Sequence, residues 1–337
     1  MRLNRVASIG LLGLIPSLAG CVHTYTVPKT RQPDVLYTAT LENLLQQVAD
    51  RYKATQTATL FVDISASSGG SHEGKVTDSY SFSGYIILKN PDHIRVVLKL
   101  PVVSSILMDM VSDGKSFRLA VPPKNCAIIG SNTAPAPPPP GANETLSERL
   151  YRLRPAVILD SLLIAPLPPD QDVSGTQDSR IYEAPKTTAG IFNGSDLRRD
   201  LIEEPDYDIE FLSRPEGQVA HTHRVIHIGR SNLLPYRQDI YDAEGRIETQ
   251  AFYSNYQHFG AITFPAKIVI QRPSDEFGLT ITVAGRSTFN QQLDADTFDL
   301  PIPSTDAIQN MDDPVSAKSN ACVNHPAPAT SARSTTK

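Results

Sequence analysis

Apolar residues in this chain recur with two different periods. Leu41, Leu44, Leu45, Val48 and Tyr52 fall at helical spacing, with Glu42, Gln46, Gln47 and Asp50 outside the stripe and Thr40 placed to cap it. This predicts a helix from Leu41 that must bury one face against a partner surface. The period then becomes two. Ala58, Leu60, Val62 and Ile64 alternate with Thr57, Thr59, Phe61 and Asp63. Tyr80, Phe82, Ile86 and Leu88 alternate mainly with serines, and Ile94, Val96, Leu98 and Leu100 with His93, Arg95, Val97 and Lys99. Each run reads as a strand with one dry face.

Turn signals join these runs. Asn90-Pro91-Asp92 separates two strands, and Asp113-Gly114, between Ile106–Val111 and Phe117–Val121, favours the positive φ of a tight hairpin. Residues 134–142 are a polyproline spacer. Thr145 and Glu148 have capping-box spacing, and Leu146, Leu150 and Leu153 continue a helix that restarts at Arg154-Pro155 and runs on through Val157–Ile164. Residues 166–204 read as an irregular insertion. Strands resume with Tyr207, Ile209 and Phe211 and continue through Arg224–Gly229, Tyr236–Tyr241, Ile247–Tyr256, Phe264–Ile270 and Leu279–Val283. Residues 304–337 lack periodicity and read as a disordered tail. The helices have no core of their own, so they must cover the dry face of one curved antiparallel sheet. The expected class is α+β: an unclosed antiparallel β-barrel, or half-barrel, over residues 35–303, with the helices of 145–164 as lids on its concave face.

The N-terminus is written differently. Arg2 and Arg5 precede an acid-free apolar run from Val6 to Leu18, the charged and apolar regions of a signal peptide, too short to span a bilayer. The following Leu18-Ala19-Gly20-Cys21 resembles the bacterial lipobox, whose thiol is acylated and becomes the mature N-terminus; a plain secretory signal is the alternative. On the lipobox reading residues 1–20 are removed, Cys21 carries the lipid, and 21–34 form a tether to the membrane. By that resemblance Val22, in place of the Asp that retains such proteins at the inner membrane, directs the chain to the outer membrane, facing the periplasm.

Composition removes several function classes. With 31 Lys and Arg against 36 Asp and Glu, the chain has no cationic excess for a phosphate backbone, so nucleic acid is excluded as a partner. Three widely spaced cysteines make neither a zinc framework nor a disulfide scaffold. Cys126 and Cys322 could pair in an oxidising compartment, or Cys126 could be an inert buried thiol, the preferred alternative. Gly114-Lys115-Ser116 resembles the end of a phosphate-binding loop, but Asp109 stands where that motif needs glycine. His221, His223 and His227 would share one face of a continuous strand. Without a carboxylate fixed nearby by spacing, a polar face is favoured over zinc. Glu203, Glu204, Asp206 and Asp208 read as a solvated charge run. No nucleophile, acid–base pair, metal site or cofactor motif is legible, so no catalysis is expected.

The element order, with Val-Ser-Asp-Gly-Lys-Ser-Phe-Arg-Leu at 111–119 and Ala-Asp-Thr-Phe-Asp-Leu-Pro at 295–301, resembles the lipoprotein-localisation (Lol) carrier and receptor superfamily. The segment Tyr-Asp-Ala-Glu-Gly-Arg at 241–246 resembles uncharacterised bacterial outer-membrane lipoproteins with a LolA/LolB-like domain. The resemblance implies a cavity for acyl chains or another hydrophobic ligand and a part in lipoprotein or lipid trafficking. The expected cavity residues are Leu60, Val62, Tyr80, Phe82, Ile86, Val96, Leu98, Ile268 and Ile281, each of which could equally be ordinary core. The loop that touches the membrane in the receptor corresponds by position to Val102 and Val103. The rival expectation is a filled, non-catalytic scaffold that engages an envelope protein partner.

Overall fold

The computed structural model describes residues 30–68, 78–100, 105–134, 145–168, 171–183, 201–214, 219–313 and Cys322. Cys21, Val102, Val103 and nearly all of the polyproline spacer lie outside the described residues. In chain order the elements are β1 (Thr30–Arg31), α1 (Leu41–Ala54), β2 (Thr57–Ser68), β3 (Asp78–Lys89), β4 (His93–Lys99), β5 (Ile106–Ser112), β6 (Ser116–Val121) and β7 (Cys126–Ser131). After α2 (Leu146–Tyr151) and α3 (Pro155–Leu162) come β8 (Asp172–Glu183), β9 (Leu201–Ser213), β10 (His221–Gly229), β11 (Pro235–Tyr241) and β12 (Ile247–Phe259). Then follow β13 (Ile262–Arg272), β14 (Phe277–Val283), β15 (Thr288–Phe289) and β16 (Ala307–Asn310). Among these helices none is long and apolar enough to cross a membrane.

The chain divides into two units. The smaller, residues 1–32 and 181–203, contains a short parallel pairing of Thr30 with Leu201 and Arg31 with Ile202, and the Thr30 hydroxyl donates to Glu203 at 3.1 Å.

In the larger unit the strands hydrogen-bond in the order β9-β10-β11-β12-β13-β14-β2-β3-β4-β5-β6-β7-β16, with β8 beside β9 and β15 beside β2. Among the described residues no pairing joins the two edges, so the sheet is an unclosed half-barrel. Its concave face follows from the sequence period. Ala58, Leu60, Val62, Ile64 and Ala66 are all buried, and their partners across β3 and β14 continue the same apolar face. Close strand approach has its own requirement at Gly84, where a Cβ would stand 1.9 Å from the Val97 carbonyl oxygen. At the β5–β6 turn Gly114 takes φ 86°, and Asp113 Oδ1 accepts the Lys115 and Ser116 amides.

The helices are where local signals place them. Thr40 Oγ1 accepts the Asn43 amide at the start of α1, and Thr145 and Glu148 complete a reciprocal capping box on α2. Leu44 and Val48 of α1 pack on Tyr207, Ile209, Phe211, Ile226 and Ile228, while α2 and α3 set Leu146, Leu150, Tyr151, Ile158, Leu159 and Leu162 into the main core.

Several expectations are corrected. Residues 172–183, expected to be irregular, form β8; its polar, mostly exposed sequence has no dry face and so no period-two signal. Ala307–Asn310, expected in a disordered tail, pair in parallel with Cys126–Ile129, since an edge strand needs only backbone groups. Cys126 is disulfide-bonded to Cys322, where an inert thiol was preferred. The three histidines do not share a face, because a bulge between Thr222 and Arg224 inserts an extra residue.

The acidic run is not a solvated one either: Glu204 is 0% and Asp206 2% exposed. On the convex face of β8–β12 it builds a network. Arg180 bonds Glu204 at 2.7 Å and stacks 3.7 Å over the Tyr236 ring, whose hydroxyl donates to Asp206. His227 lies between Asp208, at 2.6 Å from Nδ1, and Asp239, at 3.3 Å from Nε2, and Arg237 grips Asp239 at 2.8 and 2.6 Å. Burial works against the His227 charge, but the two carboxylates outweigh it and raise its pKa to about 9. Among the described residues no His, Cys, Asp and Glu side chains are grouped as a metal ion needs.

Two outcomes follow. Because the folded pKa of His227 exceeds its ordinary value, its contribution to stability is complete below about pH 6.5 and fades as pH rises through about 9. Urea unfolding between pH 6 and 10 should show a decline of up to about 3 kcal/mol, and the decline should flatten in His227→Gln. The disulfide closes a loop with a sequence separation of 196 residues. Replacing both cysteines by alanine should cost about 2–5 kcal/mol in the same assay and free β16 to exchange its amide hydrogens.

Candidate ligand site beneath the lid helices

Helix α3 begins with Pro155 at its first turn and presents Ile158, Leu159 and Leu162 to the sheet. A cavity lies along each flank of it, and the two differ in chemistry.

The larger, of about 290 Å³, lies toward α2 and the end of β13. Leu153, Val157, Ile240 and Phe277 supply its apolar lining, but Arg149, Arg152, Arg154, Arg272, Asp160, Glu248 and Asp275 also line it. Its charges are engaged with the wall. Arg272 donates to Thr249 Oγ1 at 3.0 Å and to Asp275 Oδ2 at 2.5 Å, Arg149 to the Asp275 carbonyl, and Arg154 to the Ser131 carbonyl and to Asp312 at 3.0 Å. These bonds tie the α2–α3 corner to the turns at the sheet's end, so the chamber works as a polar clamp on the lid. Burial raises the pKa of Asp160 on α3, with Arg224 opposing the shift.

The smaller cavity, of about 60 Å³, lies between the second half of α1, the segment leaving α3, and β12–β13. Val48, Leu162, Leu163, Ile164, Phe264 and Pro265 make it largely apolar. It has room for about four water-sized groups, which suits one end of a chain molecule. Two polar groups stand out in it. The Tyr253 hydroxyl is buried with no hydrogen-bond partner among the described residues. Burial raises its pKa well above the ordinary value, so it remains a neutral donor. Burial also lowers the pKa of Arg51 on α1. The nearby Tyr256 hydroxyl, by contrast, donates to the Pro235 carbonyl at 2.7 Å.

Beneath α3 the concave face carries two more buried polar atoms without a hydrogen-bond partner among the described residues, Gln238 Oε1 and Arg224 Nε. Their other ends hold the lid: Gln238 Nε2 donates to the Asp160 carbonyl at 3.0 Å, and Arg224 Nη1 to the Ala165 carbonyl at 3.3 Å. Sequence reading missed Tyr253, Gln238 and Arg224 as site residues. Gln238 and Arg224 are polar where alternation demands apolar residues, and that break in the β10 and β11 patterns is the signal that could have found them.

Leu60, Val62, Phe82, Ile86, Val96, Leu98, Ile268 and Ile281 are all buried in one core cluster with the lid residues. None of them lines either cavity. Tyr80 lies on the expected face but is not buried. It is 52% exposed near the outer end of β3, where it pairs with Ala66.

No protein-family model matches the chain, and no curated protein matches it in sequence. Solved structures do. A LolA superfamily protein from Nitrosomonas europaea is similar at 13% identity and TM-score 0.45, covering 78% of this chain and 99% of that one. A DUF1329 family protein from Desulfovibrio piger is similar at 12% identity and TM-score 0.44, covering 76% and 94%. A candidate outer membrane lipoprotein-sorting domain from Vibrio parahaemolyticus is similar at 9% identity and TM-score 0.41, covering 76% and 93%.

Proposed function

We propose that the half-barrel binds acyl chains or a comparable hydrophobic ligand between its concave face and the lid helices, and that the chain takes part in lipoprotein or lipid trafficking at the outer membrane, anchored through a lipid on Cys21. The observation that carries this reading is how the lid is held. Helices α2 and α3 contribute apolar side chains to the core, while the strands beneath them hydrogen-bond to one another without help from the helices. Their polar ties to the sheet are side-chain bonds such as Gln238 to Asp160. An acyl chain offers the same apolar surface as Leu159 or Leu162, so it can replace the lid's contacts without breaking the sheet. Leu60, Val62, Phe82, Ile86, Val96, Leu98, Ile268 and Ile281 then become the wall that the ligand touches. Val102 and Val103 fit the same reading as the membrane-facing loop.

One observation favours a second reading. With the lid in place those side chains are packed against each other, as a filled, non-catalytic scaffold for an envelope partner would require. Binding measurements separate the two. On the carrier reading, affinity for fluorescent fatty acyl probes rises several-fold with each methylene added between decanoyl and hexadecanoyl, reflecting about 0.8 kcal/mol per buried CH₂. Native mass spectrometry of the purified chain also shows copurified lipid. Affinity that is flat or absent, with a ligand-free mass, leaves the scaffold. The anchor has its own test: cells fed labelled palmitate should label the wild-type chain and not Cys21→Ser, and label on the variant would reject the lipobox reading.

A further inference from the structure

The smaller cavity beside α3 distinguishes one end of a ligand from the other. Its walls are apolar, and most of its polar side chains are already satisfied: Tyr256 by the Pro235 carbonyl, Thr55 by the Arg51 carbonyl and Thr263 by His258. Tyr52 reaches the Pro91 carbonyl at 3.5 Å. Two groups differ. The Tyr253 hydroxyl, on a residue 5% exposed, has no partner among the described residues. The half-buried Arg51 guanidinium lines the same cavity with no carboxylate at ion-pair distance among them.

Leaving a buried hydroxyl unpaired and half-burying an uncompensated guanidinium both disfavour the folded chain. Phenylalanine in place of Tyr253 would avoid the first cost at nearly the same volume. Both groups are hydrogen-bond donors, and one is a cation, so the chemistry they fit is an anionic oxygen acceptor. The cavity holds a small group, and from it the concave apolar face continues beneath α3 through Ile268, the cross-strand partner of Tyr253.

We propose that Arg51 and Tyr253 receive the carboxylate head of a single-chain amphiphile whose tail runs under the lid helices. This rests on the carrier reading above and adds the ligand's head group and its orientation. The guanidinium supplies charge and the phenol a directed hydrogen bond, so a long-chain acid is selected over its uncharged ester.

The test uses the full chain with the fluorescent fatty acid cis-parinaric acid and its methyl ester. The acid should bind at least about tenfold tighter than the ester, as expected of charge-assisted bonds in a largely apolar site. Arg51→Gln should bring the two within about twofold by weakening the acid and leaving the ester unchanged. Tyr253→Phe should weaken the acid while urea unfolding shows stability equal to or above wild type, a combination that a structural role for the hydroxyl does not produce. Equal binding of acid and ester by wild type overturns the head-group assignment and leaves the carrier reading standing. So does an equal loss of both ligands in Arg51→Gln. Binding of neither probe overturns both. Displacement of the acid by equimolar acetate would show that the anion alone is recognised and would reject the amphiphile.

Discussion

A sheet whose concave face is apolar along a dozen neighbouring strands cannot leave that face in water. Everything else in the larger unit answers this constraint. The two halves of the chain each supply a run of hairpins, and β14 pairing with β2 joins them, so one continuous face must be covered by whatever the sequence has left. Among the described residues that cover is three amphipathic helices, held by burial and by side-chain bonds such as Gln238 to Asp160, because the backbone groups of the sheet are already paired between neighbouring strands. The apolar part of that cover is non-directional and requires only a matching apolar surface. On the carrier reading proposed above, packed core and ligand wall are two states of the same side chains, distinguished by whether a helix or a guest lies on them.

Polar groups are sorted around this face with some consistency. At the α2–α3 corner, arginines and carboxylates clamp the lid to the turns at the end of the sheet. On the convex side, the Arg180–Glu204 and His227–Asp208–Asp239 bonds tie β8, β9, β10 and β11 together. In both places each charge has a partner, as buried ions require. Beneath α3, Tyr253, Gln238 and Arg224 each keep a buried atom without a hydrogen-bond partner among the described residues, as Asn132 and Asp206 do elsewhere. Of these, Tyr253 alone lines the smaller cavity.

The ends of the sheet show a different economy. Its last strands, β8 and β16, come from segments without alternating hydrophobicity, and they are fixed by pairing with β9 in one case and by pairing with β7 beside a disulfide in the other. Polar edge strands of this kind also blunt an open edge that would otherwise recruit further strands.

Local signals in the sequence were sufficient for the helix starts at Thr40 and Thr145, for the Asp113-Gly114 turn and for the dry faces of β2, β3, β4, β13 and β14, because capping, turn geometry and the two-residue pleat act over a few neighbouring residues. They also sufficed for the half-barrel class, since the helices had no other surface to cover. What the sequence could not express was any relation set by residues far apart in the chain. Asp239 lies opposite His227 only after β10 and β11 pair, the bulge at Thr222–Arg224 changes which histidine faces it, and Cys322 reaches Cys126 from the far end of the chain. Likewise, that Arg51 of α1 and Tyr253 of β12 line one cavity is decided by how a helix packs on a sheet, which spacing along one strand does not encode. Hydrophobic period is a local property and partner choice is not, so the apolar face was legible from the residues themselves, while the cavities beside α3 were decided by the tertiary structure.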